Sequence, residues 1–573
     1  MIDRFPQLRE PTLHRMLLAR AERDPHGAAS ILVHAGQPDS VYTISDLLRL
    51  ADRYASVYRE RLAAGSPDGE AAQIVVCLYH GIHLHAAFIG GMLAGQIPTM
   101  VAPPSPRMEP EKYARSFVRM MEHIAPDIVV TEAAVLTELA ARGLRGPADT
   151  TMLKPDDIDA KLQAGPVDPR NLEYSEVDAD AVAFIQHSSG TTGLQKGIAL
   201  SHAAVRNQLE AYARTIDLRA DDRIASWLPL YHDMGFIACF VLPLCLGIPV
   251  IEISPFEWVN SPATLLHKIQ QHRATLCWLP NFAFSFVARS VRSVHMHGLD
   301  LSSVRLWVNC SEPVMAESNR RFVERFEDCG VDAGRLAACY AMAENVFAVT
   351  QSPLGQAPRV DRVSASALAE GRAEEASGTA TREFVSNGKP IPGVEVRVVD
   401  DSGEPSGDRR IGEICLRGPS LFSGYFKRED LTTAAFRDDW YRTGDLGYQA
   451  EGDLFVAGRK KDLIIIQGRN FHPGDIEAVV SEVGDVIDGR VVAIGRSDEE
   501  SGTESLVVIA ETEVDDTSER GRLGLQIRNL IAQRLDCTAG EVHLVPPRWL
   551  VKSTAGKIAR SDNRSKYEAE LRR

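Results

Sequence analysis

The chain has 573 residues, of which 44% are hydrophobic and 25% charged. That balance suits a soluble globular protein, and the length exceeds what one compact core can hold, so two or more domains are expected. A formal charge of −15 excludes general nucleic-acid binding, which needs a basic surface.

The first residues, MIDRFPQLREP, carry no apolar core or small-residue cleavage site, so no secretory signal is expected. From Pro11 to Leu62 helical periodicity alternates with one extended piece, Ser30 to Val33. A strand (IVVCLY), a helix (HLHAAFIGGMLAG) and a second strand (IPTMV) then follow between Gln73 and Val101 in βαβ order, which predicts a parallel sheet. The pattern recurs at Ile128 to Val130, Ala181 to Ile185, Pro249 to Ile253, Leu276 to Leu279 and Leu306 to Val308. The longest apolar run, Phe236 to Ile251, is broken by Pro243, Gly247 and Pro249, and no stable membrane insertion is expected from it.

Pro353 to Glu383 is rich in Ala, Ser, Gly and Glu, and reads as an inserted, linker-like loop with one short helix, SASALAEGRAEEA. After Pro390, short strands (VEVRVVD, GEICLRG, DLFVAG) separated by Gly/Asp turns predict a β-rich subdomain. A charged turn, Gly458 to Asp462, marks a boundary, and the remainder reads as a small α+β domain. The expected class is therefore α/β: a large N-terminal domain with two parallel or mixed sheets and a β-rich subdomain, then a small, mobile C-terminal domain. Between Arg548 and Arg573, eight basic residues face three acidic ones, a docking surface for an acidic partner. Nine scattered cysteines without a CxxC pair point to a reducing cytoplasm and no zinc.

The most informative stretch is His187 to Gly197. After an apolar strand it gathers Ser188, Ser189, Gly190, Thr191, Thr192, Gly193 and Lys196, a loop whose amides and hydroxyls can face an anion such as a polyphosphate. Its spacing is not that of GxxxxGK[ST].

This loop, with Tyr340-Ala341-Met342-Ala343-Glu344, Gly412-Glu413-Ile414, Tyr441 to Leu446, Gly458 to Asp462 and Thr554-Ala555-Gly556-Lys557, resembles the adenylate-forming enzymes. The motifs stand in family order from Ser188 to Lys557. Tyr231-His232-Asp233-Met234-Gly235-Phe236, Leu279 to Phe284 and Ile464 to Glu477 are similar to one branch, the fatty acyl-AMP ligases, which also carry an insertion.

The resemblance implies residues 1–458 as the adenylating domain with 353–383 as candidate insertion, 459–462 as hinge, and 463–573 as the mobile domain. It implies that ATP reacts with a fatty acid, expelling pyrophosphate, and that positioning and charge neutralisation supply most of the catalysis. Lys557, Glu344 and His232 are the implied catalytic residues, with Glu344 also holding Mg²⁺ through oxygen. Ser188 to Gly193 and Lys196 would cradle phosphates, Ser311, Glu312 and Pro313 the adenine, with Tyr340, Ala341 and Met342 beside it. Asp445 would accept the ribose hydroxyls, Arg459 would face ribose or phosphate, and Lys461 would be the hinge. Where much of the superfamily has a hydroxyl residue, this chain has Ala343, and Cys310 replaces the usual small residue before Ser311.

Trp227, Phe236, Asn281, Phe282 and Phe284 are read as the acyl pocket. A substrate without a charged amine is expected, because Asp233 is the only acid near the centre of the pocket motifs. The implied acceptor is the phosphopantetheine thiol of a holo acyl carrier protein. Two alternatives are an acyl-CoA synthetase and a catalytically silent relative that binds nucleotide or acyl ligand.

Overall fold

Two sheets grow from the βαβ segments. The computed structural model describes residues 1–62, 71–104, 110–141, 150–159, 168, 171–187, 196–378, 381–466, 469–498, 503–535, 537–552 and 558–570. Strand Gln73–Cys77 lies between Ile97–Met100 and Ile128–Thr131, with Thr151–Leu153 beyond, all parallel. The helix Ile82–Leu93 crosses between the first two. Its apolar residues are buried nearly all round, as a helix covered on every side requires.

The larger sheet has nine strands among the described residues. Its centre is parallel, in the spatial order Leu336–Ala341, Leu306–Cys310, Leu276–Pro280, Ile224–Ser226, Val250–Glu252 and Ala28–Leu32. Antiparallel strands close both edges. Because the central strands run the same way, the segments that follow them emerge on one edge. In open α/β sheets, ligands bind in a crevice at that edge.

One strand departs from the expected pattern. Val182–His187 joins neither parallel sheet; it pairs antiparallel with Gly197–Ser201, which pairs in turn with Gly424–Tyr425. The connection between the first two is too short for a parallel crossover, which takes about a dozen residues.

The apolar run is also more particular than its composition. Met234–Val241 winds as a π-helix that continues into the α-helix Leu242–Leu246, where Gly247 in the left-handed region ends it. Longer-period winding of this kind is rare and often found at functional sites.

The segment from Pro353 to Glu383 is not a linker. Strands Val360–Ser364 and Thr381–Val385 form an antiparallel hairpin. The helix between them covers only Ala365–Ala369, because Gly371 adopts φ +76° and stops it. Val363, Leu368, Ala373 and Phe384 pack against Tyr448, Ala450 and Phe455, so scattered apolar positions in a polar segment supply a buried face.

The β-rich region consists of Glu395–Val399, Gly412–Arg417, Trp440–Ala450 and Phe436–Arg437, with Asp453–Arg459 also on Trp440–Ala450. Core residues through Leu454 and those from Ile464 onward fall in separate clusters. The latter surround the strands Val491–Asp498, Thr503–Glu511 and Ala539–Val545 and the helices Pro473–Ser481 and Thr517–Leu535. No helix among the described residues is long and apolar enough to cross a membrane.

Candidate active site

Four strand ends set the site. Trp227 follows Ile224–Ser226, Phe282 opens the helix after Leu276–Pro280, Ser311 follows Leu306–Cys310, and Met342 follows Leu336–Ala341. Two of these turns are strained. Ser311 has φ +66° and Val346, a β-branched residue just beyond Glu344, has φ +61°. Such backbone persists only where its surroundings enforce it.

Asp445 lies inside the strand Trp440–Ala450, beside a register shift between Leu446 and Gly447, a bulge of the kind that re-aims a side chain. The Tyr340 hydroxyl donates to Asp445 Oδ2 at 2.7 Å. Arg459 Nε stands 3.2 Å from Asp445 Oδ1. The carboxylate is thus approached from both sides, and burial together with this neighbour holds the Tyr340 phenol well above its ordinary range.

Glu344 forms the second focus. Burial raises its pKa, and it accepts a hydrogen bond from Tyr425 Oη at 3.1 Å. Tyr425 Oη lies 3.3 Å from Tyr441 Oη, and Lys196 Nζ sits 4.3 Å above the Tyr425 ring. Arg459 feels the negative charge of Asp445 most strongly and that of Glu344 as well, which together raise its pKa. That guanidinium pairs with Asp445, and the charge of Glu344 reaches it electrostatically.

The junction after Arg459 is tied on both sides. Lys460 Nζ lies 3.0 Å from Asp401 and 3.7 Å from Glu413, both in the β-rich region. Two residues on, Asp462 lies 3.5 Å from Arg560, which pairs with Glu477 at 2.6 Å in the small domain. Lys461 stands between these anchors. Gly458 (φ +153°) comes so close to His472 that a Cβ there would meet its Nδ1 at 2.7 Å.

The sequence-predicted residues divide. The structure brings together Lys196, Tyr340, Glu344, Asp445 and Arg459, while Ser311 to Pro313 and Ala341-Met342 line the neighbouring strand ends. His232 and Asp233 sit where the π-helix begins: the Asp233 carboxylate accepts from the Met234 backbone N–H at 2.9 Å, and the His232 carbonyl accepts from Phe236 N–H at 2.8 Å. Ser188, Ser189, Gly190, Thr191, Thr192 and Gly193 lie outside the described residues, as does Lys557.

The five pocket residues do not share one wall. Trp227 and Phe282 do come together, their rings 6.1 Å apart, with Trp258 stacked on Trp227 at 3.6 Å. Phe236 packs instead with Phe88, Phe184 and Phe240. Phe284, fully buried, lies 4.9 Å from Phe322 in a third aromatic group. Helical spacing turns residues two apart to different faces, which is why Phe282 and Phe284 separate. The Asn281 side-chain carbonyl accepts from Asn309 (3.1 Å) and from the Met315 backbone N–H (3.0 Å), so it ties two strand ends together.

Sequence reasoning missed Tyr425 and Trp258, and named Tyr441 only as the start of the Tyr441 to Leu446 motif. Tyr425 reaches Lys196 and Glu344 only because its short strand pairs with Gly197–Ser201, a contact with no local signature. The basic C-terminal stretch is also spent differently than expected. Arg560 is consumed by ion pairs, Lys566 Nζ packs over Trp549 at 4.4 Å, and Lys552 is half-buried, leaving Arg548 and Arg564 as its exposed described cations.

The family model of AMP-binding enzymes matches residues 18–426. The chain is 30% identical over 528 residues to long-chain-fatty-acid–AMP ligase FadD26 of Mycobacterium marinum, covering 87% of each protein. It is 28% identical over 589 residues to 4-hydroxyphenylalkanoate adenylyltransferase of Mycobacterium tuberculosis, covering 97% of this chain and 92% of that one. A structure from a study of fatty acyl-adenylate ligases of E. coli and L. pneumophila superposes with a TM-score of 0.88 at 26% identity, covering 99% of both chains.

Proposed function

The chain belongs to the AMP-binding enzymes as a fatty acyl-AMP ligase, and we propose that it couples acyl-adenylate formation to transfer of the acyl group onto the phosphopantetheine thiol of a holo acyl carrier protein. The observation that carries the site assignment is the buried Asp445 carboxylate held between the Tyr340 hydroxyl and Arg459 Nε. A ribose-binding carboxylate with a cation beside it, and a metal-binding carboxylate in Glu344, suit a nucleoside triphosphate.

In the first half-reaction the fatty acid carboxylate attacks the α-phosphorus of ATP, the bond to the bridging oxygen breaks, and pyrophosphate leaves. Asp445 accepts the ribose hydroxyls while Tyr340 and Arg459 hold it in place. The 188–193 loop and Lys196 take the departing phosphates, and Lys557 neutralises charge that develops at the reacting oxygens. Ser311 to Pro313 and Ala341-Met342 receive the adenine. His232 contributes a polar group beside the crevice, where Trp227 and Phe282 meet the acyl chain.

Glu344 fits a Mg²⁺ site. It is a carboxylate whose charge burial disfavours, and Mg²⁺ is commonly held by one or two carboxylates plus substrate phosphates. When bound, the ion would offset phosphate charge.

In the second half-reaction the thiol attacks the acyl carbonyl and AMP leaves. This requires the face occupied by Lys557 to be vacated, and the small domain, 463–573, turns about 459–462. The anchors of Lys460 and Asp462 on opposite sides support Lys461 as the pivot. Nine free, buried cysteines support a reducing cytoplasm as its compartment.

Pyrophosphate release with a series of fatty acids tests the first step. Parallel addition of CoA and holo carrier protein tests the second, and rapid acyl-CoA formation with indifference to the carrier would overturn the acceptor assignment.

A further inference from the structure

Asn281 opens the helix that follows strand Leu276–Pro280, at the sheet edge where the crevice lies. Its side-chain oxygen is taken twice. The Asn309 amide donates to it at 3.1 Å and the Met315 backbone N–H at 3.0 Å. A backbone N–H can only donate, so the atom it meets is the carbonyl oxygen, and the Asn281 amide has one orientation.

Asn309 makes that orientation rigid. It is fully buried in the strand Leu306–Cys310, and its amino group donates a second bond to Asn319 at 2.9 Å. Both donors to the Asn281 oxygen therefore lie on one side, in Leu306–Cys310 and the turn after it.

The amino group of Asn281 is on the other branch of the planar amide and turns away from that side. Among the described residues nothing accepts its hydrogens, and Asn281 is only half-buried, so they are free to meet a ligand. On the opposite side of Leu276–Pro280 runs Ile224–Ser226, followed by Trp227. The next residue, Phe282, reaches both sides. Its backbone N–H donates to Glu312 of the adenine-side turn at 2.9 Å, and its ring stands 6.1 Å from Trp227. The free amino group thus stands between the turn assigned to adenine and the aromatic wall assigned to the acyl chain.

We infer that Asn281 is a substrate-binding residue whose amino group donates to an oxygen of the acyl carboxylate. The inference rests on the reading of this crevice as an acyl-adenylate centre. In an acyl-adenylate the acyl carbonyl joins tail to nucleotide, and it is an acceptor that falls at that boundary. One carboxylate oxygen attacks phosphorus. The other, held by Asn281, becomes the carbonyl oxygen of the adenylate and keeps its hydrogen bond through the step. A neutral amide orients the acid without drawing off the charge with which it attacks. Asn309 acts through Asn281, as its positioning residue.

The test compares two adenosine ligands of like charge that differ at that carbonyl. An acyl sulfamoyl adenosine has it, and the AMP ester of the matching fatty alcohol has a methylene in its place. Calorimetry measures both affinities for the full chain in wild type, Asn281→Asp and Asn281→Ala. The aspartate keeps an oxygen for Asn309 and Met315 but turns the donor into a charged acceptor. It should weaken the acyl ligand about 10–100-fold more than the ester. Asn281→Ala removes the donor without adding charge and should show the same preference to a smaller degree. In pyrophosphate release, kcat/KM for the fatty acid should fall in both variants with KM for ATP nearly unchanged. Equal losses on the two ligands, or no loss in either variant, would overturn the assignment of Asn281. A wild-type protein that binds neither ligand more tightly than AMP would instead sink the acyl-adenylate reading.

Discussion

Tyr340 donates its phenolic hydrogen to Asp445 across 2.7 Å, so the carboxylate assigned to the ribose is oriented by a second strand end. Hydrogen bonds to charged groups are worth about 1.5–3 kcal/mol each, and Asp445→Ala should weaken ATP binding about 10–100-fold. Tyr340→Phe keeps the ring and removes only the orienting bond, so it should lose less. Calorimetric titration with a non-hydrolysable ATP analogue measures both.

The two lysines assigned to phosphate chemistry should differ in weight. Lys557→Ala should lower acyl-AMP formation about 10²–10³-fold while ATP binding survives, as removal of one preorganised charge does. Lys196 rests on the Tyr425 ring at 4.3 Å, and Lys196→Ala should cost less. Pyrophosphate release, read beside ATP affinity, decides this; normal release from Lys557→Ala would end its assignment.

The pivot has a separate signature. Lys461→Pro fixes φ at the residue between the Lys460 and Asp462 anchors. Adenylation should be spared and thioester formation slowed, measured as single-turnover rates for each half-reaction. Equal loss of both would argue against rotation.

Arg382 of the hairpin pairs with Asp475 at the start of the small-domain helix Pro473–Ser481. Burial disfavours both charges, lowering the pKa of Arg382 and raising that of Asp475 to about 6. Arg382→Leu alone should cost about 3 kcal/mol, because it strands a buried carboxylate, whereas Arg382→Leu with Asp475→Leu should be nearly neutral. Urea unfolding of the two variants measures the difference.

Acid should destabilise the protein in mildly acidic solution. Burial lowers His14 and His187 to about 4 and His202 and His472 to about 3, from 6.5. A base with a depressed folded pKa contributes stability above 6.5 that is lost as pH falls toward the folded value. Asp475 works in the opposite direction between 3.8 and about 6, as do the raised carboxyls of Asp52, Glu132 and Glu344, while the lowered His80 adds to the four histidines. Each histidine adds up to about 1.4 kcal/mol per pH unit. Urea midpoints taken across this range should fall steeply, and His187→Gln should flatten the slope.

Most of the α/β frame was legible because apolar runs alternating with helical periods leave few other packings. The partner of Val182–His187 was not, since an apolar strand looks alike in a parallel sheet and in a hairpin. The hairpin at 360–385 was hidden by its composition: four apolar positions suffice to bury one face, and the rest of the segment is polar. At the site, Tyr340, Glu344, Asp445 and Arg459 were legible because each sits in a motif. Tyr425 and Trp258 were not, because they reach the crevice through tertiary pairing. The split of Phe282 from Phe284 followed from helical geometry that an aromatic-rich string conceals.

The π-helix Met234–Val241 leaves the segment after His232 and Asp233 open to change by indel. Removal of one residue there would let the segment rewind with ordinary spacing, rotating the side chains before the cut relative to those after it. The parallel strands beneath would keep their register. A single lost codon would therefore turn His232 and Asp233, which precede the π-helix, relative to Phe236 and Phe240 within it.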